Sequence, residues 1–346
     1  MSPTRALVLL PLLLLGCEEP PKPAAKPAAS ADKGPVVDAK VAAAVAAAAS
    51  AKNAGQKKTD GPPPGGVFGP GEADALFGPK DGVKIEVGSP GQGDKITLKP
   101  SSADRWKGTP TVFVSVRLGQ RSALPSVDLS LSLTLEKPKD EGATPALLTE
   151  VKKVALSKEQ MGSVPKEAEK ELGKLKGAVI AFTPSAAGPT RPDVRAEKDP
   201  SGQLTLPLDG LAAAMFYAAV PPPPTPVGKG GFWIAGSRQR LNGFDLVTYR
   251  MYKVEAIDGD KVTLSLKGHA YAASGDTTLP GITKGTQLAQ FESTTEGELV
   301  LRSGEPLAES AELQNVVGAV FGQEGQPGRA LQVATISKWG KTDAKK

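Results

Sequence analysis

One cysteine and one histidine stand in a chain of 346 residues. With Cys17 alone, no intrachain disulfide forms, so packing must supply the stability that small exported domains draw from cross-links. Zinc centres need clustered Cys and His, and the chain has neither to spare. A Ser-His-Asp triad would have to be built on His269. No G-x-S-x-G turn accompanies it, and it lies between Leu266 and Tyr271 in a strand-like run, where a structural or exposed role is expected. Aromatics make up only 5% of the chain, and Trp233, Tyr249 and Tyr252 are expected to fill a core or a sheet face. The apolar run Ala6–Leu15 covers ten residues, whereas a membrane span needs roughly 20.

A strong excess of one charge is also missing. The net charge of +5 and pI near 9.0 come from scattered sources. Arg5 precedes the apolar run, residues 17–79 hold seven Lys against seven Asp or Glu, and residues 341–346 carry three Lys against Asp343. Residues 80–340 are left at +2. That body lacks the basic stripe that neutralising phosphates requires, so no nucleic-acid partner is expected.

What the chain does have begins at its start. Arg5 is followed by Ala6–Leu15, and the run closes on Leu14-Leu15-Gly16-Cys17. This arrangement resembles the signal peptide of bacterial lipoproteins. The resemblance implies cleavage between Gly16 and Cys17, a diacylglyceryl group on the Cys17 thiol and an acylated amine. Burial contributes about 0.8 kcal/mol per CH₂, and two chains already anchor stably. Glu18 implies sorting to the outer membrane, facing the periplasm of a bacterial cell envelope.

Residues 17–79 are rich in Ala, Pro, Lys and Gly, as in the run PKPAAKPAAS. Such a segment buries too little apolar surface to offset its ordering entropy and is expected to be a disordered tether. A flexible chain of this length spans roughly 40–50 Å. An Ala-rich insert, Val36–Lys52, is marginal as an isolated helix, and Gly61-Pro62-Pro63-Pro64-Gly65-Gly66 reads as a breaker.

From residue 80 to 340 the signal is alternation with period two, which marks strands with one buried face. Val127, Leu129, Leu131, Leu133 and Leu135 alternate with polar residues, as do Val112, Val114, Val116 and Leu118. Leu246–Ile257 and Val262–Tyr271 are expected to form a hairpin about Asp258-Gly259. Shorter strands are expected at Val83–Val87, Lys95–Lys99, Val179–Thr183, Leu204–Leu208, Thr286–Glu292, Glu298–Arg302 and Leu331–Ile336. Short helices are expected from Ser157-Lys158-Glu159-Gln160, over Lys166–Lys176 with Gly177 at its exit, and over Leu211–Ala219 with Asp209 as its cap. The fold class is therefore mainly β: antiparallel sheets, sandwich or half-barrel-like, with two or three short helices. Pro221–Pro224 divides it into a lobe at 80–220 and an antiparallel lobe at 225–340, before a basic tail at 341–346. A composite body crossed by a rigid connector fits the same pattern.

Other chemistry-bearing patterns are weak. Asp258 and Asp260 flank Gly259 without the fuller acidic loop that calcium needs. Glu296 and Glu298 flank Gly297 and suggest a second turn; a glycosidase pair is a matter of three-dimensional separation. Gly88–Lys95 (GSPGQGDK) departs from phosphate-loop spacing and carries Asp94 beside the lysine. Pro226-Val227-Gly228 followed by Gly230-Gly231-Phe232-Trp233 is more distinctive. A Pro/Gly lead-in to a Trp-bearing strand resembles uncharacterised secreted β-rich lipoproteins over residues 225–272, a resemblance that brings no activity with it.

No catalytic, cofactor-binding or metal-binding residue is assigned; the site residues are Gly16 and Cys17, at the cleavage and lipidation point. The expected function is a non-enzymatic, lipid-anchored envelope lipoprotein whose β body binds a protein partner or an apolar ligand. A structural accessory of an envelope complex and a hydrolase of an envelope polymer are the alternatives.

Overall fold

The computed structural model describes residues 62–78, 82–99, 109–118, 122–123, 126–136, 146–157, 166–182, 184–185, 188–189, 193–195, 205–241, 243–277, 286–323 and 326–342. The chain divides into two units, Met1–Ala39 and Lys40–Lys346, and every described residue belongs to the second. Gly16, Cys17 and the tether through residue 61 lie outside the described residues.

The strands are, in chain order, β1 (Lys84–Ser89), β2 (Gln92–Ile96), β3 (Thr109–Leu118), β4 (Ser122–Ala123), β5 (Val127–Glu136), β6 (Ala146–Leu156), β7 (Val179–Phe182), β8 (Pro184–Ser185), β9 (Gly188–Pro189), β10 (Asp193–Arg195), β11 (Val227–Lys229), β12 (Phe232–Leu241), β13 (Phe244–Asp258), β14 (Lys261–Thr277), β15 (Gln287–Arg302), β16 (Ser310–Gln323) and β17 (Gln326–Thr342). Among the described residues three α-helices accompany them: α1 (Glu72–Leu76), α2 (Lys166–Leu172) and α3 (Thr205–Ala218).

The protein is mainly β and antiparallel, as the alternation predicts. One large sheet runs β1-β12-β13-β14-β15-β16-β17-β3-β5-β6-β7-β10, with β4 beside β3. Two-stranded ribbons join β2 to β11 and β8 to β9. The regions expected as two lobes share this sheet, because β17 pairs with β3 from Val333↔Leu118 to Thr342↔Thr109. β17 thus takes up Lys341 and Thr342, which sequence reading assigns to the basic tail.

The sheet curls round α3. Strands near opposite ends of the path, β12 and β10, both meet this helix, as do β3 and β17. That is the half-barrel-like alternative, with its hollow filled by the chain's own helix. From Pro207 to Pro221 every residue except Asp209 is buried. A helix apolar on all sides belongs in an interior, and Leu208, Leu211, Met215 and Phe216 enter the main core with Trp233, Tyr252, Leu264 and Leu299. Asp209 is half-buried, and its loss of water there pushes the carboxyl up to about 6.

The last carbonyls of α3 and of the connector after it are met by donors from outside the helix. Arg250 Nη1 donates to Phe216 O, Tyr252 Oη to Tyr217 O, the Ala308 amide to Ala218 O and Trp233 Nε1 to Pro221 O, at 3.2, 3.4, 2.9 and 2.9 Å. Helix C-termini leave carbonyls without intrahelical partners, and a cation is favourable against their dipole. This accounts for a fully buried Arg250. Its register row runs Arg250↔Gly268↔Thr295↔Asn315↔Thr335 across β13 to β17. Gly268 leaves room there for the ring of Tyr217.

Several local expectations are corrected. Leu204–Leu208 is not a strand: residues from Thr205 open α3, where Pro207 is tolerated in the first turn. Asp209 therefore sits inside the helix and does not cap it. Lys95–Lys99 is displaced to β2, at Gln92–Ile96. The Glu296-Gly297-Glu298 turn is continuous β15, with Gly297 between Leu266 and Leu313 in the ladders. A Cβ at Gly297 would come within 2.1 Å of Glu312 O, so close backbone approach explains the glycine. α2 and the 3-10 turn at Gly173–Leu175 occupy the expected helix, and Gly177 leaves it at φ +86°. Ser157 is coil, and Lys158–Gln160 lie outside the described residues.

Candidate functional site

The outer face of the sheet carries a strap, residues 62–78, which sequence reading assigns to the tether. It folds because two glycines let it lie on β15. Gly65 and Gly66 take φ of +64° and +73°, and a Cβ on Gly66 would fall 1.7 Å from Phe291 O. The strap then bridges Val67 to Ala272, where the Phe68 amide donates to Ala272 O at 2.9 Å. Phe68 meets Tyr271 edge-on and Phe77 meets Tyr249, both with centroids 6.2 Å apart. These rings join Ala73, Ile234, Val247, Met251 and Ala273 in a second apolar cluster. Polar contacts finish the attachment. Arg238 bonds Asp245 at 2.9 Å and also reaches Asp74 in α1, and Lys84 donates to Leu76 O. Local Pro/Gly composition reads as a breaker and conceals these long-range contacts.

Where the strap begins, it walls a groove of about 610 Å³. Pro62, Pro63, Gly65 and Gly66 form one side; β14 to β17 supply the rest. Ala270, Gly318, Ala319 and Ala330 carry at most a methyl, Val320 adds apolar surface, and Phe291 and Leu331 border the groove while packing toward the main core. The polar groups are His269, Tyr271, Gln290, Glu292, Ser293 and Gln332. Burial pushes the His269 imidazole below its ordinary value, with Glu292 acting in the opposite sense. Burial raises the Tyr271 phenol, and the Glu292 carboxylate raises it further. Both rings are therefore uncharged at neutral pH beside one carboxylate. A volume of this order falls in the range of ligand pockets.

The other sequence candidates go elsewhere. Gly259 takes φ +61° in the β13–β14 hairpin. The ladder closes at Asp258↔Lys261, which makes Gly259 and Asp260 the central pair and shifts the expected Asp258-Gly259 turn by one residue. Asp260 accepts from Arg302, which also bonds Glu309. Glu296 and Glu298 are exposed on β15. Among the described residues no group of three or more His, Cys, Asp or Glu side chains gathers into a metal cage. Gly88–Lys95 and Pro226–Trp233 explain one another. The Gly228 amide donates to Pro90 O at 2.8 Å, and a Cβ at Gly91 or Gly228 would strike the facing backbone at 2.3 or 2.4 Å. Gly91, Gly228 and Gly231 serve this backbone contact, Gly88 makes room for the Phe232 ring, and Gly93 and Gly230 take positive φ of +68° and +77°. Trp233 and Tyr252 stack in the core with centroids 5.5 Å apart, whereas Tyr249 faces the strap.

Sequence reasoning missed Gly65, Gly66 and Glu292 as parts of a site. Of these, only the paired glycines left a local signal, and it pointed to disorder.

The chain matches no known protein-family model and no curated protein.

Proposed function

We propose that this chain is a lipid-anchored lipoprotein of the bacterial cell envelope, carried on the outer membrane and facing the periplasm. Its body is a non-enzymatic binding module that holds an envelope protein partner in the groove beneath the strap. The reading of location rests on Arg5, the run Ala6–Leu15 and Leu14-Leu15-Gly16-Cys17. One observation carries the reading of the body: the groove is walled by Pro62, Pro63, Gly65 and Gly66, the point where the tether meets the sheet. A partner seated there contacts the anchored end of the body. The filled hollow favours a protein partner over an apolar ligand carried inside the sheet, since α3 occupies that space and its end is held by Arg250, Tyr252, Trp233 and Ala308.

Two measurements test the proposal. Cys17→Ala is expected to leave the membrane fraction, and continued partition with membranes would remove the anchor. A photoreactive residue at exposed Gln332 is expected to give a discrete crosslink in native membranes. Gly318→Trp, which fills the groove, should abolish it. Persistence of the crosslink in that variant would place the partner elsewhere.

A further inference from the structure

We propose that the groove selects a lysine or arginine side chain presented by an extended segment of the partner protein; this rests on the reading of the groove as the binding site. Among the described residues that line it, Glu292 is the only Asp or Glu, and no Lys or Arg is present. Glu292 is exposed, so its carboxylate is available to an incoming group. Its two nearest ionisable neighbours in the groove do not oppose a cation: His269 and Tyr271 are both held in their uncharged forms, chiefly by burial.

The floor suits a peptide main chain. Gly318, Ala319 and Ala330 present backbone with little side-chain cover, which lets another backbone approach closely. Gln290 and Gln332 are exposed amides, each with donors and an acceptor for peptide groups. Val320, on the same face as Glu292, offers half-buried apolar surface to the aliphatic stem of a long basic side chain, which packs its methylenes while keeping its charged head wet. A lysine stem on this surface ends at the Glu292 carboxylate.

The test uses the full chain and three acetylated, amidated pentapeptides, Ala-Val-X-Val-Ala with X as lysine, norleucine or glutamate, titrated at low salt and followed by NMR shifts. The lysine peptide is expected to bind about fivefold more tightly than the norleucine peptide, the upper end for an exposed ion pair. Glutamate should bind most weakly. Glu292→Gln should erase the lysine preference and leave norleucine affinity unchanged; its melting temperature checks that the body remains folded. Equal binding of lysine and norleucine peptides, or a preference that survives Glu292→Gln, overturns the charge selection while the groove stands as a site. If neither a peptide nor n-dodecylamine binds, or if Gly318→Trp changes nothing, the site itself fails and the selection with it. n-Dodecylamine distinguishes a lipid amine: if it binds through Glu292 while all three peptides fail, the peptide occupant is wrong.

Discussion

The guanidinium of Arg250 lies 4.1 Å over the ring of Phe216 while its Nη1 donates to the carbonyl of that same residue at 3.2 Å. One buried side chain therefore fixes both the backbone end and the side chain of α3. No carboxylate bonds it among the described residues, and its Nε and Nη2 have no hydrogen-bond partner. The charge is balanced by the helix terminus and by the faces of Phe216 and Tyr252.

Arg250→Ala is expected to cost about 3–5 kcal/mol, because it opens a cavity and strips a carbonyl of its donor. Arg250→Met keeps most of the volume and removes an expensive buried charge, so its cost should be less than half as large. Urea unfolding of both variants checks this. Equal losses would show that the guanidinium both variants lack, and not packing, sets the cost at this position.

Asp209 gives a pH dependence of known sign. Its carboxyl ionises near 3.8 in an unfolded chain and at about 6 in the folded one. The folded state is therefore favoured below 3.8 and loses that advantage as pH rises through 6. Two pH units correspond to about 3 kcal/mol. Asp209→Asn should stabilise the protein by about 2–3 kcal/mol at pH 7 and by almost nothing at pH 3.5. Denaturation curves at the two pH values decide it, and a gain of the same size at both would show that ionisation is not the cause.

Gly66→Ala should detach the start of the strap, since positive φ and the contact with Phe291 O both exclude a methyl. Cleavage by protease within residues 62–83 is expected to accelerate about tenfold, through a local opening that leaves the large sheet cooperative. Unchanged resistance would show that the later strap contacts hold it without the glycine.

Gly236 and Phe77 should be coupled. A Cβ at Gly236 would lie 2.8 Å from the Phe77 ring. Gly236→Ala is expected to cost about 1–3 kcal/mol in the native background and well under 1 kcal/mol with Phe77→Ala. Additive losses in a double-mutant cycle would mean that the ring does not occupy this notch.

Half-buried strands were the most legible part of the sequence. Alternation from Val127 to Leu135 and the paired runs about Asp258-Gly259 announce β5 and the β13–β14 hairpin. The strand β16 was hidden because its inward row, Leu313, Asn315, Val317 and Ala319, includes a polar residue that bonds Ser293, Thr294 and Thr295 within the sheet. The full length of α3 was hidden for the opposite reason. A helix enclosed on every side needs no apolar stripe, and alternation over Leu204–Leu208 reads as a strand. The groove depends on register, which places Gly66 against Phe291 and brings Gly318 beside Glu292. No local window of the sequence contains those partners.

The ladder between β3 and β17 sets an order of assembly. Leu118 waits for Val333 and Thr109 waits for Thr342, so the middle of the sheet is sealed by a strand made long after β3. Pairings this distant along the chain close slowly. A nascent chain stopped before β17 leaves one edge of β3 and one edge of β16 unpaired, and such open edges invite aggregation.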